Sequence, residues 1–367
     1  MKRLFLVLSA SLLAVVAMSQ DKCLQLGDSI VKYQSRSGGW CKNQNWLAGA
    51  DPVAMRACRA SGIGATIDNG ATVSEMRSLV KAIDRVKEMA DIGLEGIDMK
   101  ALNQRAAVYN AAFVRGLEYL LKMQYDNGGF PQFYPPKCKS DYSVHITFND
   151  NAMTNALLML SDVARNDGAL RNVDLDDRMR RKCERAYEKG LQCILDCQIR
   201  VGDDGRVLEY GTEEWKNGRR TVWCQQHDKA TLAPVKARAY ELPSYSGFGE
   251  TCAILSLLMD VENPSAEIKG AVRDAVQWLE QHAMKDVVKE SFVNDEGKND
   301  IRIAHKSGAP LMWARFYDLE NALPFYCDRD GVPRRELSEI GYERRNGYSW
   351  VSCQPSKIIE RYKNLNY

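Results

Sequence analysis

A helix-and-turn motif that recurs along the chain limits the possible folds more than any other feature. Residues 33–40 read YQSRSGGW, residues 123–130 read MQYDNGGF, and a looser copy, CQIRVGDDG, begins at Cys197. Each copy follows a stretch whose apolar residues recur at helical spacing. A motif of this kind that returns roughly every 75 to 90 residues predicts helical hairpins repeated around an axis.

The segments between the copies complete this picture. Alternating β-branched runs are few, and residues 206–210 and 302–306 are the best strand candidates. The predicted class is therefore mainly α, as a closed toroid or an open solenoid, with long irregular segments on one face. Further helices are predicted at about 72–90, 150–163, 180–197, 248–261 and 268–282, and irregular segments at 125–149, 201–247 and 285–306.

The amino-terminal residues predict export. Lys2 and Arg3 precede an apolar run that ends near Met18, which is typical of a secretory signal peptide over residues 1–20. The run is shorter than the roughly 20 residues of a membrane span. We expect residues 21–367 to form a single, monomeric domain that is exported, either to a periplasm or out of the cell.

Charge and cysteine content exclude several kinds of partner. The formal net charge of +2 falls to zero without Lys2 and Arg3, so the mature chain has no long-range field for nucleic acid or an anionic membrane. The eleven cysteines include no CxxC pair, which argues against a structural zinc site. Their odd number predicts at least one unpaired thiol in an exported protein.

Two acidic residues lie at predicted helix starts. Asp68 belongs to TIDNGAT and Asp150 to TFNDNAM. Thr72 and Glu75 form the pattern of a capping box, which leaves Asp68 and the neighbouring Asn69 free on the preceding turn. Asp150 is itself a candidate helix cap. Carboxylates at helix entrances are ligands that a hard cation such as Ca²⁺ accepts.

Three arginines lie among aromatic residues. Arg238 is followed by Tyr240, Arg315 belongs to MWARFYD, and Arg329 follows FYCD. Planar guanidinium groups pair with carboxylates in a bidentate manner, and aromatic faces stack on sugar rings. Together with the two aspartates, this pattern indicates a polyanionic sugar as ligand. The candidate stacking platforms are Trp40, Trp46, Trp223 and Tyr245.

Seven ordered motifs carry a resemblance to a known family: SGGW, TIDNGAT, NGGFPQFYP, HITFNDNAM, PVKARAYELPS, RFYD and DRDG, spanning about residues 37–330. They resemble family 10 polysaccharide lyases, which are pectate lyases with an (α/α)₃ toroid. The resemblance implies cleavage of polygalacturonate by calcium-assisted β-elimination.

The resemblance also implies roles for individual residues. Asp150 matches a calcium ligand, and Asp68 matches a second acid at the calcium and substrate subsite, with Asn69 beside it. Arg238 matches the arginine that serves as catalytic base. Arg315 and Arg329 match arginines that bind substrate carboxylates.

Two alternatives stay open at this point. An inverting glycoside hydrolase on a similar toroid would use two carboxylates from a set of four: Asp68, Asp150, Glu241 and Glu250. A helical-repeat protein without catalytic activity would hold an acidic glycan with the same arginines and aromatic residues. The products distinguish the first alternative, because only a lyase leaves a conjugated double bond.

Overall fold

The computed structural model describes residues 21–49, 51–53, 55–56, 64–92, 98–136, 138 and 141–365. The predicted signal peptide lies outside the described residues. The fold is mainly α, as predicted. In order, the described helices are α1 Lys22–Tyr33, α2 Val73–Ile92, α3 Met99–Met123, α4 Ala152–Arg165, α5 Asp177–Cys197, α6 Glu213–Asn217, α7 Glu250–Met259, α8 Ala266–Gln281, α9 Tyr342–Asn346 and α10 Gln354–Lys363.

The long helices follow one another as hairpins. The pairs α2 and α3, α4 and α5, and α7 and α8 are each consecutive, and the other two long helices, α1 and α10, lie before the first pair and after the last. The five helices predicted between the motif copies all form, with ends that differ by a few residues from the prediction. Repeated helical hairpins are the arrangement that the recurring motif predicts.

The strands are short apart from one hairpin. Strand β6 (Val287–Val293) pairs antiparallel with β7 (Asn299–His305), so residues 285–306 are regular rather than irregular as predicted. The strand predicted at 302–306 lies largely within β7. The strand predicted at 206–210 is wrong, because only Val207 forms a bridge there. The other strands are β1 Ile146–Thr147, β2 Arg200–Val201, β3 Arg219–Arg220, β4 Gln226–His227, β5 Tyr245–Ser246, β8 Trp313–Ala314, β9 Phe316–Tyr317, β10 Pro324–Cys327, β11 Pro333–Arg334 and β12 Val351–Ser352.

Two compact units make up the described chain. The first takes its described residues from Met1–Asp126, Pro131–Lys139 and Asn155–Lys189, and the second from Asn127–Phe130, Ser140–Thr154 and Gly190–Tyr367. Ten cysteines fall within the described ranges, and all ten are free thiols. None of the described helices has the length and apolar character that a membrane crossing requires.

The repeated glutamine links neighbouring helices by the same hydrogen bond in each motif copy. The amide of Gln34, just after α1, donates to the Ala112 carbonyl in α3 (2.8 Å). Gln124, just after α3, donates to a carbonyl in α5 (2.8 Å). Gln198, just after α5, donates to the Ala271 carbonyl in α8 (3.0 Å). The glutamine therefore joins the end of α1 to α3, of α3 to α5, and of α5 to α8.

After three of these helices, α1, α5 and α8, a tryptophan indole N–H donates back to a carbonyl of the helix. Trp40 donates from Nε1 to the Ile30 carbonyl (2.8 Å), and Trp223 donates to the Ile194 carbonyl (2.7 Å). Trp313 makes the same bond to a carbonyl near the end of α8 (2.8 Å). In the second motif copy the aromatic is Phe130, which has no such donor. The aromatic position of the motif is therefore a packing position.

Replacing the buried Gln198 should destabilise the fold measurably. Its amide donates to the carbonyls of Thr221 (2.9 Å) and Ala271, and Gln198→Met leaves both without this donor. We expect a loss of about 1–3 kcal/mol in the free energy of unfolding, measured by urea titration followed by circular dichroism. The exposed Gln192→Met, also from the α5 region, is the control and should change stability by less than about 0.5 kcal/mol. Equal losses would contradict the role of the repeat glutamine.

Candidate active site

Asp68 and Asp150 lie on matching turns before helices. Asp68–Gly70 and Asn149–Asn151 are short 3₁₀ turns that precede α2 and α4. Asn69 (φ 51°) and Asp150 (φ 53°) both adopt the left-handed conformation, which is uncommon for a residue other than glycine. Both acids therefore lie at helix entrances, as predicted, and the backbone places Asp150 in the position that Asn69 has in the first turn.

The capping role predicted for Thr72 is wrong for its side chain. Helix α2 begins after Thr72, but the Thr72 hydroxyl accepts from the Trp40 backbone N–H (3.0 Å) and donates to the Thr66 carbonyl (2.7 Å). Glu75 is buried and accepts from the indole of Trp46 (2.8 Å), and burial raises the pKa of its carboxyl group. Thr72 therefore fixes the Asp68 turn to the Gly-Gly-aromatic motif instead of capping the helix.

Asp68 presents a buried carboxylate with one unused oxygen. Its side chain is 2% exposed, and Oδ2 pairs with the ammonium group of Lys42. Oδ1 is buried and has no hydrogen-bond partner among the residues that the structure describes. The adjacent Asn69 side chain donates to Asn43 (3.0 Å). A buried carboxylate oxygen without a partner is costly, which points to a donor or cation supplied by a ligand.

Arg315 occupies the centre of a buried polar cluster in the second unit. Its Nη2 donates to Glu250 Oε1 (2.7 Å) and to Asn149 Oδ1 (3.1 Å). Gln225 donates to the same Glu250 oxygen (3.1 Å), and Asn149 in turn donates to Asp150 Oδ2 (3.1 Å). Burial disfavours the charged guanidinium, but the Glu250 carboxylate outweighs it and raises the pKa of Arg315. Asn149 thus connects the predicted calcium ligand Asp150 to Arg315.

Arg238 is held by a carboxylate three residues further along the chain. Its Nε donates to Glu241 Oε2 (2.7 Å), its Nη2 pairs with Oε1, and its backbone N–H also donates to Oε2 (3.1 Å). Burial disfavours the charged form, yet the hydrogen bonds and charge of Glu241 raise the pKa of Arg238. Arg238 is therefore a protonated, bidentate partner of Glu241 in this structure.

Tyr348 connects the two arginines. Its hydroxyl donates to Glu241 Oε1 (3.0 Å), and its ring lies 4.7 Å from the Arg315 guanidinium carbon and 6.0 Å from that of Arg238. Glu241 lies three residues after Arg238, a spacing that could have identified this ion pair from the sequence. Tyr348 is 107 positions beyond Glu241, and no local pattern marks it.

The Arg329 side chain forms its hydrogen bonds with Glu343 rather than with this cluster. Its Nε and Nη2 donate to the two oxygens of Glu343 (3.0 and 3.1 Å), and the side chains of the pair are 64% and 62% exposed. The bonds to Glu343 raise the pKa of Arg329. Among the described side chains no hydrogen bond joins Arg329 to Arg238, Arg315 or Tyr348.

The predicted sugar platforms require correction. Trp223 is 0% exposed, and its indole is committed to the Ile194 carbonyl. Tyr245 is 3% exposed, packs 5.4 Å from the Trp278 ring, and has a pKa raised to about 12 by burial. Trp40 and Trp46 are buried as well. None of these four rings offers the open face that stacking on a sugar requires.

Asp68 and Asp150 are the two residues predicted to bind calcium. Within the described ranges, no three or more His, Cys, Asp or Glu side chains converge as metal ligands. Ca²⁺ takes six to eight oxygen ligands, so Asp68 and Asp150 alone do not complete a site. The unused Oδ1 of Asp68 is an oxygen of the kind that such a cation accepts.

Comparisons with known proteins identify the family of the chain. The family model of pectic acid lyases matches residues 34–359. The chain is similar to a solved family 10 polysaccharide lyase from Cellvibrio cellulosa at 31% identity, with a TM-score of 0.73 and coverage of 94% of this chain and 92% of that chain. It is similar to a point mutant of a Cellvibrio cellulosa family 10 lyase in complex with trigalacturonic acid at 30% identity, with a TM-score of 0.72 and coverage of 94% and 93%. No curated protein matches the chain.

These matches remove the two alternatives. The matched proteins are lyases, so neither a glycoside hydrolase nor a protein without catalytic activity is supported. Two of the four carboxylates considered for a hydrolase are also committed elsewhere, because Glu241 pairs with Arg238 and Glu250 pairs with Arg315. The chain has the fold of the family 10 lyases.

Proposed function

The chain belongs to the pectic acid lyase family, and we propose that it cleaves polygalacturonate by calcium-assisted β-elimination in which Arg238 accepts the C5 proton. It is a polysaccharide lyase. The complex of the similar Cellvibrio lyase with trigalacturonic acid supports an acidic oligosaccharide as the substrate.

The observation that carries the proposal is the pair of guanidinium groups around Tyr348. Arg238 and Arg315 lie in the same unit. Both guanidinium groups lie near the Tyr348 ring, and the Tyr348 hydroxyl donates to Glu241, the partner of Arg238. Polygalacturonate has a carboxylate on every sugar, so the cationic Arg315 would bind one of these carboxylates and hold the substrate in register for Arg238. Arg315 Nε is a further buried donor without a partner among the described residues.

Elimination places specific demands on the site. The C5 proton of a galacturonate is weakly acidic, and negative charge builds on the C6 carboxylate as the proton leaves. Asp68 and Asp150 are the residues proposed to bind calcium, which would supply Lewis-acid chemistry that neutralises this charge. Arg315 would stabilise the same charge electrostatically, and Arg238 would take the C5 proton. The C4–O bond would then break as the C4=C5 double bond forms, and the leaving oxygen would take a proton from water.

An arginine base is effective only when it is deprotonated. The Arg238 guanidinium is protonated at ordinary pH, and Glu241 raises its pKa further. The reactive neutral fraction therefore grows as pH rises toward that pKa, which predicts an alkaline rate maximum. A nearby cation would oppose Glu241 and favour the neutral form, and a base this strong has ample driving force toward a weak carbon acid.

The Glu241 carboxylate should set the position of the pH profile. Glu241→Gln removes the negative charge that stabilises protonated Arg238 and retains an acceptor for it. Because loss of that charge lowers the Arg238 pKa, the neutral fraction at a given pH increases. We expect the rise in kcat to move to lower pH by about one unit, measured as the formation of unsaturated product.

The control for this shift is Glu343→Gln, which removes the carboxylate from the exposed Arg329 pair. Its profile should match that of the parent. An unchanged profile in Glu241→Gln, or a shift to higher pH, would contradict the proposed link between Glu241 and the base.

Calcium dependence tests the roles of the two aspartates. With polygalacturonate at alkaline pH, near-ultraviolet absorbance of the unsaturated product should increase with calcium and stop when a chelator is added. We expect Asp150→Asn and Asp68→Asn to raise the calcium concentration for half-maximal rate at least about tenfold, because each removes a charged ligand. Asp162→Asn, from a partly exposed ion pair with Arg77, is the matched control. Full activity in chelator would contradict the proposal.

A further inference from the structure

A cationic groove lies between α3 and α5 in the first unit. Its volume is about 530 Å³, within the range of ligand pockets. Lys122 of α3 and Lys182, Arg185 and Lys189 of α5 line it, and Glu118 is the acidic residue of the lining. These four cations from two helices define the cationic groove.

The four cations are available to a ligand. All four side chains are exposed, and none is salt-bridged to an acid among the residues that the structure describes. Other cations of the same unit are neutralised: Arg85 pairs with Asp21 (2.9 Å), and Arg77 with Asp162 (2.8 Å). The cationic groove therefore keeps its charge.

Helix stability does not account for this cluster. Arg185 and Lys189 are four residues apart and Lys182 and Arg185 three, spacings at which like charges on a helix repel. The nearby Glu184 and Glu188 of α5 are outside the groove lining. An external polyanion would relieve the repulsion.

We propose that the cationic groove binds a stretch of polygalacturonate as a second site, separate in function from cleavage. The inference rests on the proposed function, which makes this polyanion the substrate. Ammonium and guanidinium groups from two helices would meet successive sugar carboxylates. The apolar part of the lining, Leu121, Met179 and Ala186, would contact the C–H surface of the sugar rings.

Because the mature chain has no net charge, a polyanion can be held only by a local cluster of cations. The mature chain is formally neutral, so it offers no general attraction for a polyanion, and retention must come from a cluster of this kind. A polymer held at the cationic groove stays near the enzyme, which raises the effective concentration of its other segments at the cleaving site. A three-sugar substrate is too short to gain from such tethering.

The direct test is binding, which does not depend on turnover. The groove variant is Lys122→Ser, Lys182→Ser, Arg185→Ser and Lys189→Ser together. Binding is measured as the change in mobility in native gels with increasing polygalacturonate, for the groove variant alone and combined with Arg238→Ala. We expect about tenfold weaker binding than in the parent and a weaker dependence of binding on salt concentration. A matched control with the same charge change removes four exposed cations of the second unit: Lys285, Lys289, Lys306 and Lys357.

Kinetics provide the second readout. In the groove variant, KM for polygalacturonate should rise about tenfold, while kcat and the turnover of trigalacturonate stay at parental values. If no preparation shows lyase activity, the proposed function is wrong. The gel assay still tests whether the cationic groove binds polygalacturonate. If the enzyme is active and the groove variant binds polygalacturonate like the parent, the groove inference alone is overturned.

Two further outcomes would overturn the inference. One is equal loss of binding in the matched control, which would show a net-charge effect. The other is loss of binding to vesicles of anionic phospholipid with polygalacturonate binding intact. Thermal unfolding should occur at the parental temperature or above, because the variant removes repulsion. If the groove variant unfolds at a lower temperature than the parent, the double variant Lys122→Ser and Lys189→Ser is tested instead. It should show a smaller loss of polygalacturonate binding.

Discussion

Replacing Arg238 with alanine is expected to lower kcat on polygalacturonate by at least about 1,000-fold, because the side chain that accepts the C5 proton is lost. KM should change much less. Arg329→Ala removes the exposed arginine that pairs with Glu343, and it is the matched control with an expected kcat loss below about tenfold. Initial rates of absorbance increase across substrate concentrations separate the two parameters. An Arg238→Ala enzyme that keeps more than a tenth of parental kcat would contradict the assignment.

The same substitution also removes the partner of a buried carboxylate. Glu241 is 2% exposed and accepts three hydrogen bonds from Arg238, so the folded fraction of the variant must be measured by circular dichroism. Arg238→Lys retains a positive charge near Glu241 but loses the bidentate geometry. It should fold like the parent and still lose about 100-fold in kcat, which separates a chemical role from a structural one.

Removing Arg315 is expected to cost about 3–5 kcal/mol in the free energy of unfolding, because it leaves the buried Glu250 carboxylate without its cation. Arg315 is 12% exposed and Glu250 is 2% exposed. The experiment is urea unfolding of Arg315→Met followed by tryptophan fluorescence. Arg329→Met breaks an exposed pair and should cost less than about 1 kcal/mol.

A double variant tests the origin of this loss. Arg315→Met with Glu250→Gln removes both charges, so part of the lost stability should return. Equal losses from Arg315→Met and Arg329→Met would show that the buried pair has no special contribution. No recovery in the double variant would show that packing of Arg315 against Tyr348, rather than its charge, carries the effect.

The helical part of the fold could be predicted because its signals are local. The apolar period and the Gln-Gly-Gly-aromatic motif lie within short stretches, and the structure places Gln34, Gln124 and Gln198 in equivalent bonds. Helix starts at the acidic turns were also predictable, since Asp68 and Asp150 precede apolar periodic runs. The predicted helix cap at Thr72 was wrong, because the Thr72 hydroxyl bonds to the backbone of Trp40 and Thr66.

Burial of the aromatic residues could not be predicted in the same way. A tryptophan after a glycine turn suits a sugar platform and a packed interior equally well, and tertiary contacts decide between them. Trp223 packs inside because its indole reaches the Ile194 carbonyl. Part of β7 was predicted, but β6 and its pairing with β7 were missed. The side chains of both strands are mostly partly or fully exposed, so the sequence lacks a clear alternation of apolar and polar residues.

The sequence motifs name candidate site residues but not the contacts between them. Motifs named Arg238 and Arg315, while their partners depend on the fold: Glu250 is 65 positions from Arg315, and Tyr348 lies beyond the matched motifs. Asn149, which was not predicted as a site residue, connects Asp150 to Arg315. Long-range pairs of this kind leave no periodic trace in a single sequence.

The central claim is that polygalacturonate is cleaved by elimination and not by hydrolysis. Its most direct test is digestion in water enriched in heavy oxygen, at alkaline pH with calcium, followed by mass spectrometry of the fragments. Trigalacturonate kept without enzyme measures background exchange at the reducing end. We predict fragments with an unsaturated end, each one water lighter than its saturated counterpart and without heavy oxygen beyond that background. Saturated fragments that gain one heavy oxygen at each cleavage would contradict the account.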